Sequence, residues 1–460
     1  MKKFIALLLA LVMVLALAAC GSSAAPAAST TTTTSAEPAA EPAAEASTET
    51  EAPAAADKFY IWAWNTDFVA ILDNVLPDYL TADELARIEF VNQGDSGTYQ
   101  DAIDGLLADS GNEQYPDIML LEVGYVQKYV QSGALMPVKD LGITDADLAN
   151  MYDYNLALGT DAASGDTYAL FWQATPGSWQ IRADLAEQYL GTTDADEIQA
   201  MLATWDDVVA VSKKVNDASN GKVKLLSGAD DLKYVFCNGA RESAWYDEND
   251  VIVVDPAVED YLKVSGELAG LTYDVNMWSD EWAGLKDGDG VNTEAALAFT
   301  GCPWYSYWCL TDTWNDNTIL IQGPQPFYWG GTGLAATAGC SDTDLAYKII
   351  HAVTCDAEAM VKINTANGDY VNNTEAIAYI QEHGSGTTST FKTYNDQDII
   401  GFYADKCDGI KVLAVGEDQV ICENLLPTVV NQYIADGDLD AAVASLKSAI
   451  HDTFSYLKIS

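Results

Sequence analysis

Basic side chains are scarce: 22 lysines and arginines stand against 69 aspartates and glutamates in 460 residues, a formal charge of −47. A field of that sign repels nucleic acid and anionic headgroups, so no nucleic-acid partner is expected. It also disfavours an anionic ligand unless local cations override it. Only Arg87, Arg182 and Arg241 offer the planar fork that suits a carboxylate or phosphate, which makes a neutral ligand the simpler expectation. Histidine is nearly missing, with His351, His383 and His451 scattered, and no Cys-x-x-Cys pair occurs, so a structural zinc site lacks its donors. There is no Gly-x-x-x-x-Gly-Lys phosphate loop and no internal repeat. No cofactor or metal is expected.

Two weak motifs dissolve on inspection. Gly94-Asp95-Ser96-Gly97 is similar to the nucleophile motif of trypsin-like proteases, but a serine nucleophile needs a base and no histidine precedes position 351. Asp287, Asp289 and Asn292 resemble part of a calcium loop without the bidentate glutamate at its twelfth position, and a solvated turn is favoured. The acids are too numerous for any pair to mark a glycosidase dyad.

The N-terminus is of a different kind. Lys2 and Lys3 precede an apolar run from Phe4 to Leu17 that ends in Ala18, Ala19 and Cys20. A spanning helix needs about 20 apolar residues; this shorter run reads as an export signal over residues 1–19. Leu17-Ala18-Ala19-Cys20 resembles the lipobox of bacterial lipoproteins, which implies a diacylglycerol on the Cys20 sulfur and anchorage on the outer face of the cytoplasmic membrane. Two acyl chains hold where one is marginal. Residues 20–56 are nearly all Ala, Ser, Thr, Pro and Glu, too poor in large apolar groups for a core, and read as a tether spanning roughly 35 Å. Setting Cys20 aside, seven cysteines remain, so at least one is unpaired within the monomer. If the segment after Pro303 is helical, Cys302 and Cys309 lie about 10 Å apart along its axis, beyond disulfide reach.

The folded part begins at residue 57. Phe59 to Trp64, Ile88 to Val91 and Asp117 to Leu121 read as strands, the second and third followed by helical segments, and Thr167 to Trp172 reads as another. Strands alternating with helices argue for a parallel α/β sheet, in which ligands collect beyond the carboxyl ends of the strands. That architecture nominates Trp62, Trp64, Asn65, Asp95, Ser96 and Glu122. Thr204 and Asp207 have capping-box spacing before an apolar stripe, and Ser341 and Asp344 repeat it. A last helix puts Leu439, Val443, Leu446, Ile450 and Phe454 on one face.

Aromatic residues are the informative class, with 12 Trp, 24 Tyr and 11 Phe. Trp304-Tyr305-Ser306-Tyr307-Trp308 crowds one helix start after Pro303, and Phe327-Tyr328-Trp329 precedes a Gly-Gly turn. A pyranose has apolar C–H faces and a hydroxylated rim, so its site wants flat rings beside Asp, Glu, Asn and Gln. Many of these rings are also ordinary core candidates.

In their order and spacing, Trp62 and Trp64 on the opening strand, Tyr115-Pro116-Asp117-Ile118, Gly133-Ala134-Leu135-Met136-Pro137, Thr204-Trp205-Asp206, Gly301-Cys302-Pro303-Trp304, Gly323-Pro324 and Trp329-Gly330-Gly331-Thr332 resemble the solute-binding proteins of carbohydrate ABC transporters, the group that includes maltodextrin-binding proteins. The resemblance implies a two-lobed α/β fold with a hinge and an interlobe ligand cleft. It divides the chain into a first lobe of 57–172 and 331–378 and a second of 173–330 and 379–460. It implies permease subunits as partners, no enzymatic activity, and a sugar stacked on Trp304. Trp329, Tyr305 and Trp179 are further candidates, although Ile181-Arg182 departs from the family's usual Tyr-Asn beside Trp179. A secreted glycan-active enzyme, an adhesin, and a polyamine or peptide binder are the alternatives.

Overall fold

The computed structural model describes residues 58–384 and 391–460. The signal segment 1–19, Cys20 and the tether lie outside them. Strands follow in chain order as β1 (Phe59–Ala63), β2 (Ile88–Asn92), β3 (Ile118–Glu122), β4 (Leu170–Phe171), β5 (Ser178–Arg182), β6 (Val223–Lys224), β7 (Ala295–Ala296), β8 (Ala298–Gly301), β9 (Thr318–Ile321) and β10 (Thr332–Ala336).

The first two form because each is a short run with β-branched and aromatic residues, the third is a continuous aliphatic run, and all three are closed by Asn, Gly or Glu. They pair in parallel in the order β2-β1-β3. Ile118 to Leu121 at the middle of the sheet are wholly buried, as a continuous apolar run requires when both faces are covered. Helix α1 (Asp67–Asn74) follows β1 and helix α2 (Ser96–Leu107) follows β2. The sheet is not all parallel, however. β10 returns from much later in the chain and lies antiparallel to β3 and β4. The expected Thr167–Trp172 strand is reduced to the two residues that pair with β10.

A second sheet is antiparallel throughout, with β5 between β8 and β9 and every residue of the three strands buried. β6 and β7 form a two-stranded parallel pair. Helix α3 (Trp205–Ala218) begins at the expected capping box: Thr204 accepts from Asp207 N at 3.2 Å and Asp207 accepts from Thr204 N. Two other features differ from the sequence reading. Asp342, not Ser341, caps helix α4 (Thr343–Thr354) by accepting from Leu345 N, while Ser341 bonds the Asp117 carboxylate at 2.7 Å. The last helix, Leu439–Thr453, buries Leu446 and Ile450, and Phe454 lies just past its end.

Two apolar clusters result. One gathers the first sheet with residues 59–174 and 334–380, together with Leu320 and Tyr328; the other gathers the second sheet with the remaining core residues of 179–329 and 421–457. The segment Ile399–Cys407 packs on the first cluster through Tyr403 and Cys407, whereas the sequence reading placed 379–460 with the second. The Tyr403 ring lies 5.8 Å from Tyr370, and its hydroxyl pairs with Ser178 at 2.9 Å. Between the clusters, two chain crossings run side by side and antiparallel. Gly177 N donates to Phe327 O at 2.7 Å, Trp329 N to Thr175 O at 3.1 Å, and Thr175 Oγ1 to Gly330 O at 2.7 Å. Gly177 is needed for this approach, since a Cβ there would stand 2.4 Å from the Phe327 ring. All seven cysteines among the described residues are free. No helix among those residues is long and apolar enough to cross a membrane.

Candidate functional site

A cavity of about 960 Å³ opens between the two clusters, at the upper end of the roughly 300–1,000 Å³ found for small-molecule sites. The first lobe reaches it with strand ends. Trp64, Asn65 and Asp67 follow β1, Asn92 and Gly94 close β2, Ser96 opens α2, and Glu122 terminates β3. The second lobe answers with Tyr234, Trp278, Trp304, Trp308 and Glu423, and the crossings supply Gln173 and Trp329.

Trp329 is the hub of an aromatic wall. Tyr234 stacks on it at 5.1 Å and 23°, Trp304 lies at 5.2 Å, Tyr305 at 5.5 Å and Trp278 at 6.1 Å. Trp304 owes its place to the helix Pro303–Trp308: proline fills the first helical position, where its missing N–H costs nothing, so Trp304 faces out of the first turn. Trp278 and Trp308 are 60% and 61% exposed. Two such rings on a cleft wall are apolar area that a bound ligand would remove from water.

The polar groups are arranged around Glu122. Burial, reinforced by the neighbouring Glu423 carboxylate, pushes its carboxyl up to about 8 against one opposing bond donated by Gly124 N at 2.6 Å. Gly124 leaves the space both acids use: a Cβ there would come within 2.7 Å of Glu122 Oε2 and 3.7 Å of Glu423 Oε1. Tyr234 donates its hydroxyl to Glu423 Oε1 at 3.0 Å. Asp67 is pushed up to about 6 by burial and by Asp369, and Asn65 Nδ2 donates to it at 2.8 Å. Gln173 joins the crossing to the first lobe, donating to Asp369 at 2.8 Å and accepting from Thr332 N at 2.9 Å. Gln100 of α2 donates to Gln419 at 3.0 Å across the cleft.

Of the candidates read from sequence, Trp304, Trp64, Asn65, Ser96, Glu122 and Trp329 line this cavity and four do not. Trp62 lies two residues before Trp64, about 7 Å deeper along the chain and inside β1, and is buried with Nε1 donating to Gln114 O. Asp95 turns away to cap α2, accepting from Thr98 N at 2.8 Å, a bond that lowers its pKa. Tyr305 lies about 100° round the helix from Trp304 and is fully buried beneath Trp329. Trp179 sits on the central strand of the second sheet against Trp205, with no exposed surface. Sequence reasoning missed Tyr234, Trp278, Trp308, Asp67 and Glu423. The run Trp304 to Trp308 signalled Trp308, but the irregular segments around Trp278 and Glu423 carry no periodic pattern.

No histidine lines the cavity, and His351 is paired with Asp147. Asp289 gathers a surface turn, accepting from the N–H groups of Val291, Asn292 and Thr293. The three arginines are all committed within the protein: Arg87 to Asp342, Arg182 as a fork on Asp184, and Arg241 to Asp418.

A family profile for bacterial extracellular solute-binding proteins matches residues 80–384. No curated protein matches the chain at a significant level. Solved structures do. An extracellular solute-binding protein of family 1 aligns with a TM-score of 0.69 at 15% identity, over 87% of this chain and 100% of its own. The galacto-N-biose/lacto-N-biose I-binding protein of an ABC transporter from Bifidobacterium longum, in complex with lacto-N-biose, gives 0.65 at 14%, over 88% and 98%. The sugar-binding protein MalE from Xanthomonas citri gives 0.65 at 14%, over 86% and 96%. At these identities the likeness establishes the two-lobed α/β fold. With the profile covering more than half of the sequence, the chain belongs to the bacterial extracellular solute-binding proteins.

Proposed function

We propose that this protein is the substrate-binding component of an ABC importer, which captures a sugar or oligosaccharide between its lobes and hands it to a membrane permease without altering it. The observation that carries the reading is the cavity itself, walled by Trp64, Trp304, Trp308 and Trp329 and edged by Asn65, Asn92 and Glu122. Flat rings take the C–H faces of a pyranose, and the amide and carboxyl groups take its hydroxyls. The sugars named for the structural neighbours, lacto-N-biose and maltose among them, support the class. Closure about the paired crossings at 173–177 and 327–331 would desolvate the ligand and present a surface to the permease. Cys20 is the proposed lipid attachment point, holding the protein on the outer face of the cytoplasmic membrane.

Thermal-shift measurement of the purified protein against mono- and oligosaccharides, uronic acids, amino acids, short peptides and polyamines tests this. A ligand at a hundred times its Kd adds about 2.7 kcal/mol of stability. The expected result is a saccharide that raises the Tm, is recovered intact, and loses its effect in Trp304→Ala. Stabilisation by polyamines or peptides alone would refute the saccharide class, and turnover of the saccharide would make the protein an enzyme.

A further inference from the structure

The cleft is electrically one-sided. No lysine, arginine or histidine lines it, while three carboxyls do: Asp67 and Glu122 from the first lobe and Glu423 from the second. The two buried lysines close to its aromatic wall are already engaged. Lys233 pairs with Asp230 at 3.2 Å, and Lys286 lies over the Trp282 ring at 3.8 Å. The second lobe places Glu423 on the other side of Gly124 from Glu122, and neither glutamate has a cationic partner among the described ion pairs. Tyr234 bridges them to the rings, since it donates to Glu423 and stacks on Trp329.

Burial and the neighbouring Glu423 both disfavour the charged form of Glu122, which therefore calls for a counter-charge before it ionises. A proton supplies it when the cleft is empty. A ligand ammonium can supply it instead, with the electron-rich faces of Trp329, Tyr234 and Trp304 around it adding cation–π attraction. An anionic sugar meets only repulsion, which the overall charge of −47 reinforces. Deepening the proposed function, on which it rests, we infer that Glu122 and Glu423 are specificity-determining residues that reject acidic saccharides and select a saccharide bearing a free amine over its neutral counterpart. The groups facing Glu122 are Glu423, Tyr234, Tyr125 and the Cys302 thiol, and none is cationic. Amine binding therefore displaces the proton held by Glu122.

The test is calorimetric titration of the full-length protein with matched disaccharides in gluco and galacto series: the 2-amino form, its N-acetylated and 2-hydroxyl counterparts, and the corresponding uronic acid, each in two buffers of different ionisation enthalpy at pH 7. The 2-amino form is expected to bind about tenfold or more tighter than the 2-hydroxyl form, to release a fraction of a proton, and to lose both features in Glu122→Gln and in Glu423→Gln, while the uronic acid does not bind. The glutamines preserve shape, and the melting transition of each variant shows that it is folded. Equal or tighter binding of the neutral or N-acetylated form, or amine binding without proton release, overturns the inference and leaves the saccharide reading standing. If no disaccharide binds while spermidine does, that reading falls with it.

Discussion

Replacing Glu122 by glutamine should stabilise the ligand-free protein, increasingly so as the pH rises from about 4.5 to about 8. In the folded chain the Glu122 carboxyl titrates at about 8, against 4.5 for the unperturbed group, because burial and Glu423 oppose its charge. Between those two values the folded state keeps the proton and the unfolded state has released it. Folded wild type then holds more protons than unfolded wild type, so its stability falls as pH rises, by up to about 1.36 kcal/mol per unit. Below the unfolded value both states are protonated and nothing is lost. Summed to pH 8 the ceiling is about 5 kcal/mol, and water reaching the carboxylate at the cavity edge brings the expected figure to about 2–5 kcal/mol. For a folded body of this size that is a Tm gap of about 2–6 °C. Glutamine carries no charge to desolvate, so the gap between Glu122→Gln and wild type should be near zero at pH 4.5 and widen up to pH 8. Asp67 and Asp231, which burial also raises to about 6, contribute equally to both proteins and cancel. Melting curves of both proteins at half-unit steps from pH 4.5 to 9 measure it. A gap that is constant with pH, or that narrows as pH rises, would refute the reasoning.

Three further outcomes are expected. Trp304→Ala should weaken saccharide binding by about tenfold or more while shifting the unliganded Tm little, because the ring is only partly packed on the second cluster; titration and melting curves separate the two effects. Trp179→Ala should cost about 3–5 kcal/mol of stability in chemical denaturation, whereas Asp95→Ala should cost about 1 kcal/mol as a lost helix cap, and both proteins should keep the ligand affinity of wild type because neither side chain lines the cavity. Gly177→Ala places a methyl 2.4 Å from the Phe327 ring in the paired crossings; overpacking there should lower stability by about 1–3 kcal/mol and change the ligand on- and off-rates, read by stopped-flow tryptophan fluorescence.

The first lobe was legible because its signals are local. A β-branched run closed by a polar residue is both a strand and a strand end, so Trp64, Asn65 and Glu122 could be placed at a cleft without knowing what faces them. Register along one strand was harder to use: Trp62 shares a side of β1 with Trp64 but lies too deep to reach the opening. The antiparallel return of β10 beside β3 links residues over two hundred positions apart, and no local pattern announces such a pairing. Trp179 was a candidate only through the family resemblance, and β8 and β9 flank its strand and bury it. Glu423 belongs to the π-helical turn Val420–Leu425, whose wide spacing escapes both the 2-residue and the 3.6-residue period. The attachment of Ile399–Cys407 to the first cluster was hidden for a similar reason, since an apolar stripe shows that a helix packs but not on what.

Hydrogen–deuterium exchange with and without the most stabilising saccharide tests the central claim, ligand capture between the lobes, most directly. Slowed exchange should appear together at the strand-end segments 64–67, 92–100 and 122–124, at 304–309 and 419–424 of the second lobe, and at the crossing 329–332, because a ligand held between the lobes must protect both walls and the segment joining them. Protection confined to one lobe, or centred away from this cavity, would contradict it.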